Sequence, residues 1–376
     1  MRHLLTLILV CFTASILAQE PNWTSVKETN INYGSNESFD LFTNSYGNNI
    51  IVQESNALKY YKMDINGEAG TPVTLESSSV VSPSISGDAT SVYVVYRKSA
   101  ENFIRTKYSL DGGTTWYYLT TTLNENGANI ESVVSKNKLH VTFQIGNSVY
   151  YSKRLIPVGT WSTAYPVSET ETGQYPRIAA WSQGSADEVW FIYKNSNTVG
   201  KFRKYNVANG QWDPIQTGYT LNPYNLYSSA PAGFTVGSNE VYYYYRYTDN
   251  NFMNYFGWFI LGRDGSYIGH SVPDVNDTYK VYNTTTNNGN SYSAFYYFFT
   301  SDKYQLPGIY RQKNAGTQYY DLEQVYYNNN QNAVYDPPVN ISSAGNEVHI
   351  LWKDNLGNNN GNNLRYIYDD QTPLTP

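Results

Sequence analysis

Arg97, Gln144, Lys194, Arg246 and Lys353 share a local context. Each directly follows an apolar run that ends in an aromatic residue. The runs are Val92-Tyr93-Val94-Val95-Tyr96, Leu139-His140-Val141-Thr142-Phe143, Val189-Trp190-Phe191-Ile192-Tyr193, Val241 to Tyr245, and Val348-His349-Ile350-Leu351-Trp352. Arginine offers paired N–H donors to a carboxylate or sulfate. Tyrosine, which occurs 39 times here, gives a sugar ring an apolar face and a hydroxyl. Tyr175 and Arg177 bring both groups close together in the chain. Such cations among tyrosines suit an anionic or hydroxyl-rich ligand. The bland alternative is a set of solvated strand-end charges on apolar stems. The candidate ligand-binding residues are Arg97, Arg177, Arg246, Tyr175, Tyr335, Asp336 and Lys353. No catalytic residue is assigned.

Other chemistries find little support. His140 and His349 occupy the same position in their runs, which points to packing within a strand. His270 stands alone in a loop, and His3 lies in a leader-like segment. No His, Cys or carboxylate cluster has metal-ligand spacing. No Gly-x-Ser-x-Gly nucleophile elbow occurs, and no carboxylate pair stands out by spacing. No cofactor is expected. The formal net charge of -6 leaves a nucleic-acid partner without electrostatic support.

The elements that must position these residues are strands. No stretch after the leader sustains a helical period. The apolar runs recur about every 50 residues, a repeat length suited to propeller blades. They are apolar on both faces, as befits a strand sandwiched between neighbouring sheets. Each is preceded by a short segment such as Ser82-Pro83-Ser84-Ile85-Ser86, Tyr175-Pro176-Arg177-Ile178-Ala179 or Pro337-Pro338-Val339-Asn340-Ile341. Third strands follow, such as Ser148 to Ser152 and Leu364 to Tyr368. Fourth strands are often opened by Trp, as at Trp161 and Trp212.

Units fall at about 36–77, 79–123, 127–169, 174–217, 226–272, 278–328 and 334–368, within the range of repeat lengths known for such folds. The last has only three strands. Trp23 to Glu28 resembles the missing fourth, and the sequence predicts that it pairs antiparallel with Leu364 to Tyr368. The fold class is therefore all-β, a seven-bladed β-propeller closed by an N-terminal strand, with six blades as the alternative.

One turn carries a family resemblance. Ser109-Leu110-Asp111-Gly112-Gly113-Thr114-Thr115-Trp116 reads Ser-x-Asp-x-Gly-x-Thr-Trp. Asp111 suits backbone N–H donors two or more residues on, and the glycines suit positive φ. This resembles the Asp box of the sialidase-like, BNR-repeat β-propeller superfamily, in which Ser109, Asp111, Gly113, Thr115 and Trp116 would be structural. Asp64-Ile65-Asn66-Gly67 and Arg263-Asp264-Gly265 look like worn copies. The resemblance places the box between the third and fourth strands of a blade, away from the active face. That face would carry Arg97, Gln144, Lys194, Arg246 and Lys353 at second-strand ends, with Glu131, Asp249, Asp302, Tyr335 and Asp336 in or near its loops. Sialidases carry their first arginine in a Phe/Tyr-Arg-Ile-Pro motif near the start. Here Tyr175-Pro176-Arg177-Ile178 is permuted and mid-chain, which argues against sialidase activity.

The ends complete the reading. Residues 1–18, with an apolar run from Leu4 to Leu17, read as a secretory signal peptide; 19–370 form one propeller domain and 371–376 a short tail. The sole cysteine, Cys11, lies in the leader, so the mature chain has no disulfide. The protein is expected to be secreted, at the cell surface or periplasmic, monomeric, and without a membrane span once the leader is removed. The first functional reading is glycan or cell-surface ligand binding at the loop face around the central channel. The alternative is a carbohydrate-active enzyme, a polysaccharide lyase or glycoside hydrolase acting on an anionic glycan.

Overall fold

A computed structural model describes residues 23–32, 38–220, 226–237, 239–249, 254–271, 278–285, 291–297, 308–315, 318–327, 339–344, 347–353 and 363–370. The described residues contain no helix and form seven antiparallel sheets. Sheet 1 is built from Ser38–Asn44, Gly47–Glu54, Ala57–Met63 and Val73–Glu76, each strand paired with the next. Sheets 2 to 6 repeat that order, and sheet 4 gains an extra strand, Gln216–Thr220, on its third. The first strands are Ser38–Asn44, Val80–Gly87, Ala128–Ser135, Gln174–Gln183, Leu226–Val236, Thr278–Thr285 and Val339–Ala344. Each touches the first strand of the next sheet, and Val339–Ala344 touches Ser38–Asn44, so the circle is closed. This is a β-propeller.

The two-faced apolar runs explain the radial stacking. Val92 to Tyr96 and Val189 to Tyr193 are buried along their whole length, because both faces of a sheet meet a neighbour. Ile51, Tyr60, Val94 and Tyr96 share the core between sheets 1 and 2. Trp190, Phe202, Tyr243 and Leu261 share the one between sheets 4 and 5. Each such side chain contributes roughly 1.5–3 kcal/mol of burial. With no disulfide possible among the described residues, these interfaces hold the ring.

The seventh sheet is assembled from both ends of the chain. Lys27–Asn32 pairs antiparallel with Asn363–Asp370, with Lys27 opposite Tyr366 and Glu28 opposite Arg365. Trp23 forms an isolated bridge to Asp369, and the Thr24 N–H donates to the Tyr368 carbonyl at 3.0 Å. The expected partners are right, but the regular strand runs from Lys27 to Asn32 rather than from Trp23 to Glu28. The reason is burial: Thr29 and Ile31 point into the core while Glu28, Asn30 and Asn32 remain on the outside.

The turn from Ser109 to Trp116 links the third and fourth strands of sheet 2. Asp111 Oδ1 accepts the N–H groups of Thr114 and Thr115 at 3.0 and 2.8 Å, and Ser109 Oγ donates to it at 2.7 Å. Gly112 and Gly113 have φ of 64° and 93°. A Cβ on Gly113 would lie 1.7 Å from the Tyr60 hydroxyl of sheet 1. Trp116 packs edge-on against Tyr60, with centroids 4.8 Å apart. The turn thus clamps sheet 2 to sheet 1. Its worn relatives keep the same idea: Asp64 Oδ1 accepts the N–H groups of Asn66 and Glu68, and Asp264 Oδ1 that of Ser266. At the Trp161 copy the fourth strand, Tyr165–Pro166, begins only after the tryptophan.

Antiparallel order sorts the connections onto two faces. First-to-second-strand hairpins and third-to-fourth-strand turns share one, here called the hairpin face. The starts of the first strands and the ends of the second strands share the other, the mouth of the channel.

Candidate functional site in the central channel

A first strand pairs on one side only, so its other row of backbone groups needs partners from elsewhere. Side chains of the preceding sheet supply them. Asp40 Oδ2 accepts the Ile85 N–H at 3.0 Å, Ser84 Oγ the Ser132 N–H at 3.1 Å, and Glu131 Oε2 the Ile178 N–H at 3.2 Å. Ser342 Oγ accepts the Thr43 N–H at 2.8 Å across the closing seam. The channel is polar for this reason before any function is considered.

Three sheets share a device at the mouth. Ser82, Asn129 and Tyr175 are non-glycine residues with φ of 51°, 48° and 51°. Each sits inside a register shift: Val81 to Ser84, Ala128 to Glu131, and Gln174 to Arg177. Such bulges re-aim the residues that follow. Left-handed backbone at a non-glycine residue costs about 1 kcal/mol or more and clusters at functional sites. Here the bulges direct Ser84, Glu131 and Arg177 into one cavity of about 330 Å³, shared with Asp40 and Asn340.

Asp40 is a strongly perturbed carboxyl in that cavity. Burial pushes its pKa from 3.8 up to about 6, and the Glu131 charge adds to the rise. Hydrogen bonds from Ile85, Asn340 and Leu41 work against it. Oδ1 accepts the Asn340 side-chain N–H at 2.7 Å and the Leu41 N–H at 2.9 Å. Oδ2, with the Ile85 bond alone among the described residues, is the better place for a proton. Glu131 is also pushed up by burial, while the Arg177 guanidinium, in direct contact with it, favours its charged form. Two carboxyls in one cavity thus have unlike partners, an amide for one and a cation for the other.

The sequence-derived candidates are dispersed. Arg177 lies in the channel. Arg97 donates from Nε to the Gly127 carbonyl at 2.9 Å and from Nη1 to the carbonyls of Lys98, Ser99 and Glu101 at 3.4 to 3.5 Å. Its donors hold a loop to the next sheet. Tyr175 is exposed at the mouth, where its N–H donates to Gln144 Oε1 at 3.0 Å and Lys194 Nζ lies 5.8 Å from its ring centroid. Lys353 is buried in sheet 7 opposite Leu364. Arg246 stands between Ala230 and Phe256 in the second strand of sheet 5. Tyr335, Asp336 and Asp302 lie outside the described residues. The histidines expected to pack do so: His140 Nδ1 and Tyr151 share a hydrogen bond of 2.7 Å, as do His349 Nδ1 and Tyr366. Among the described residues no group of three His, Cys, Asp or Glu is placed to hold a metal ion.

Sequence reasoning missed Asp40 and Asn340. In Ser38-Phe39-Asp40-Leu41-Phe42 an alternating polar residue reads as facing solvent. Ser82-Pro83 and Tyr175-Pro176 fall where the first strands of sheets 2 and 4 bulge, but the strands of Asp40 and Asn340 have no such bulge to mark them.

No protein-family model matches this chain, and no curated protein matches it. Among solved structures, AofleA from Arthrobotrys oligospora aligns at 11% identity over 80% of this chain and 88% of its own, with a TM-score of 0.51. An ulvan lyase of a polysaccharide lyase family aligns at 9% identity over 74% of this chain and 83% of its own, at 0.48. An α-L-arabinanase from Penicillium chrysogenum aligns at 10% identity over 78% of this chain and 94% of its own, at 0.47. At this identity the alignment with AofleA speaks for the fold alone. The Asp-box resemblance rests on the Ser109–Trp116 turn itself. No helix among the described residues is long and apolar enough to cross a membrane.

Proposed function

We propose that the protein is a carbohydrate-active enzyme of the glycoside hydrolase kind, with its chemistry in the central channel. The observation that carries this reading is Asp40, a channel carboxyl pushed up to about 6 and set in the same cavity as the ion-paired Glu131. Glycoside hydrolysis needs one carboxyl that holds a proton and one that is charged. Asp40 donates its proton to the glycosidic oxygen as the bond to the anomeric carbon breaks. Glu131 takes a proton from the water that attacks that carbon. Arg177 opposes the rise that burial imposes on Glu131 and gives an acidic sugar a partner for its carboxylate. Tyr175, exposed at the mouth beside Lys194, offers a stacking surface for the next sugar. The glycan-binding reading is thus kept as the function of the mouth, with catalysis beneath it.

Export belongs to the same proposal, since residues 1–18 carry the leader pattern and a polysaccharide is met outside the cell. A single propeller domain acting as a monomer completes it. The test is a panel of neutral and acidic polysaccharides scored for new reducing ends, with ultraviolet absorbance of unsaturated products scored in parallel. Hydrolysis lost in Asp40→Asn and Glu131→Gln supports the reading. Unsaturated products point to a lyase. Equal activity in Asp40→Asn rejects the assignment.

A further inference from the structure

The hairpin face holds a second cavity, of about 910 Å³, where sheets 7, 1 and 2 meet. That volume falls within the range of ligand sites. Its wall includes Tyr46 and Ile65, 53% and 44% exposed, and the carboxylates of Asp64, Asp88 and Glu347. His349, 2% exposed, also lines it; its Nε2 makes no hydrogen bond to the described residues and lies 3.3 Å from Glu347 Oε2. No lysine or arginine lines this cavity among the described residues.

The wall is built rather than merely present. A tyrosine at a hairpin tip is ordinarily free to swing. Tyr46 is held from below by the turn of sheet 2: a Cβ on Gly112 would lie 2.6 Å from its ring. The Tyr46 N–H donates to Asn44 Oδ1 at 3.0 Å. Asp88 is fixed by one oxygen, Oδ1, which accepts the N–H groups of Thr90 and Ser91 at 3.0 and 2.7 Å. Its Oδ2 accepts no hydrogen bond from the described residues. A rigid aromatic face beside a fixed acceptor oxygen lowers the ordering cost of binding.

We infer that this cavity is a second, non-catalytic site for a neutral sugar. The C–H face of a pyranose fits the Tyr46 ring, and its hydroxyls fit the Asp88 and Asp64 carboxylates. Three carboxylates line this cavity, and Lys62 beside the Tyr46 ring already donates to the Gly112 carbonyl, so an acidic sugar is disfavoured, the reverse of the channel with Arg177. A cationic ligand is disfavoured at the ring itself, because Lys62 Nζ already lies 5.4 Å from the Tyr46 centroid. The proposal does not depend on hydrolysis in the channel. It gives the two ends of the propeller different sugars and makes the hairpin face an anchor.

The test is calorimetric titration of the intact protein with cellobiose, xylobiose, maltose and lactose, and with galacturonic acid and spermidine as charged probes. Binding of a neutral disaccharide, weakened at least tenfold by Tyr46→Ala and by Asp88→Asn and unchanged in Asp40→Asn, is the expected result. Gly112→Ala, which displaces the ring while leaving every cavity side chain, weakens it too. Loss in Asp40→Asn with retention in Tyr46→Ala places the sugar in the channel and overturns the inference. Tighter binding of spermidine, or no binding of any neutral sugar, overturns it as well.

Discussion

In the proposed mechanism one proton on Asp40 couples catalysis to folding. Its folded-state value near 6 lies above that of an unfolded aspartate, so the native state holds the proton more tightly. Its contribution to stability is full below the unfolded value, about 3.9, and is lost as pH rises through 6; two units correspond to about 3 kcal/mol at most. Wild-type stability should fall between pH 4 and 6, and chemical denaturation of Asp40→Asn should show that slope flattened. Activity should fall above pH 6 as the acid loses its proton. Asn340→Ala removes a bond that favours the charged form, so the same descending limb should shift to higher pH. A limb that stays in place would detach Asn340 from the acid. Asp111 behaves in the opposite sense. Bonds from Ser109 and the Thr115 N–H hold it down at about 2, so its support fades only as pH falls below the ordinary aspartate range.

At the scale of elements, what the residue pattern made legible was whatever a local rule determines. The Ser109–Trp116 turn could be read because Asp111, two glycines and a tryptophan each answer a local need. Asp111→Ala strands the Thr114 and Thr115 donors and should lower stability by about 1–3 kcal/mol, with activity in the channel unchanged; a drop in activity at unchanged melting would contradict this. Arg97 shows where legibility ends. Its position after Tyr96 was evident, but whether its guanidinium met a ligand or the Gly127 carbonyl depended on where the next sheet began. Asp40 was opaque for a related reason: the inside of a ring exists only once the ring is closed. The closing strand was readable as an element, and only its limits were displaced, because Thr29 and Ile31 continue the burial that Lys27 begins. A chain beginning at residue 33 should therefore melt far lower or aggregate, since sheet 7 would lose its outer strand and the Ile31 contact with Leu364 and Tyr366. Unchanged melting would show that the seam does not need it.

For the whole molecule, repeated sheets explain why so little sequence identity suffices for the fold. Each interface needs apolar, aromatic-rich second strands and little else, so Val92–Tyr96 and Val189–Tyr193, which share only their first and last residues, both stack. If export occurs as proposed, sequencing of the mature protein should find Gln19 at its N-terminus, and an uncleaved Met1 would refute the leader.

The seam of sheet 7 also imposes a timetable. Lys27–Asn32 emerges first from the ribosome and finds its partner, Asn363–Asp370, only when nearly the whole chain has followed. Sheets 1 to 6 can form as they appear, but the circle cannot lock. Closure thus comes late and spans the greatest sequence separation among the described strand pairings, which makes it slow. If export occurs as proposed, that delay would keep the chain unlocked during its passage through a membrane pore, with the ring closing on the far side.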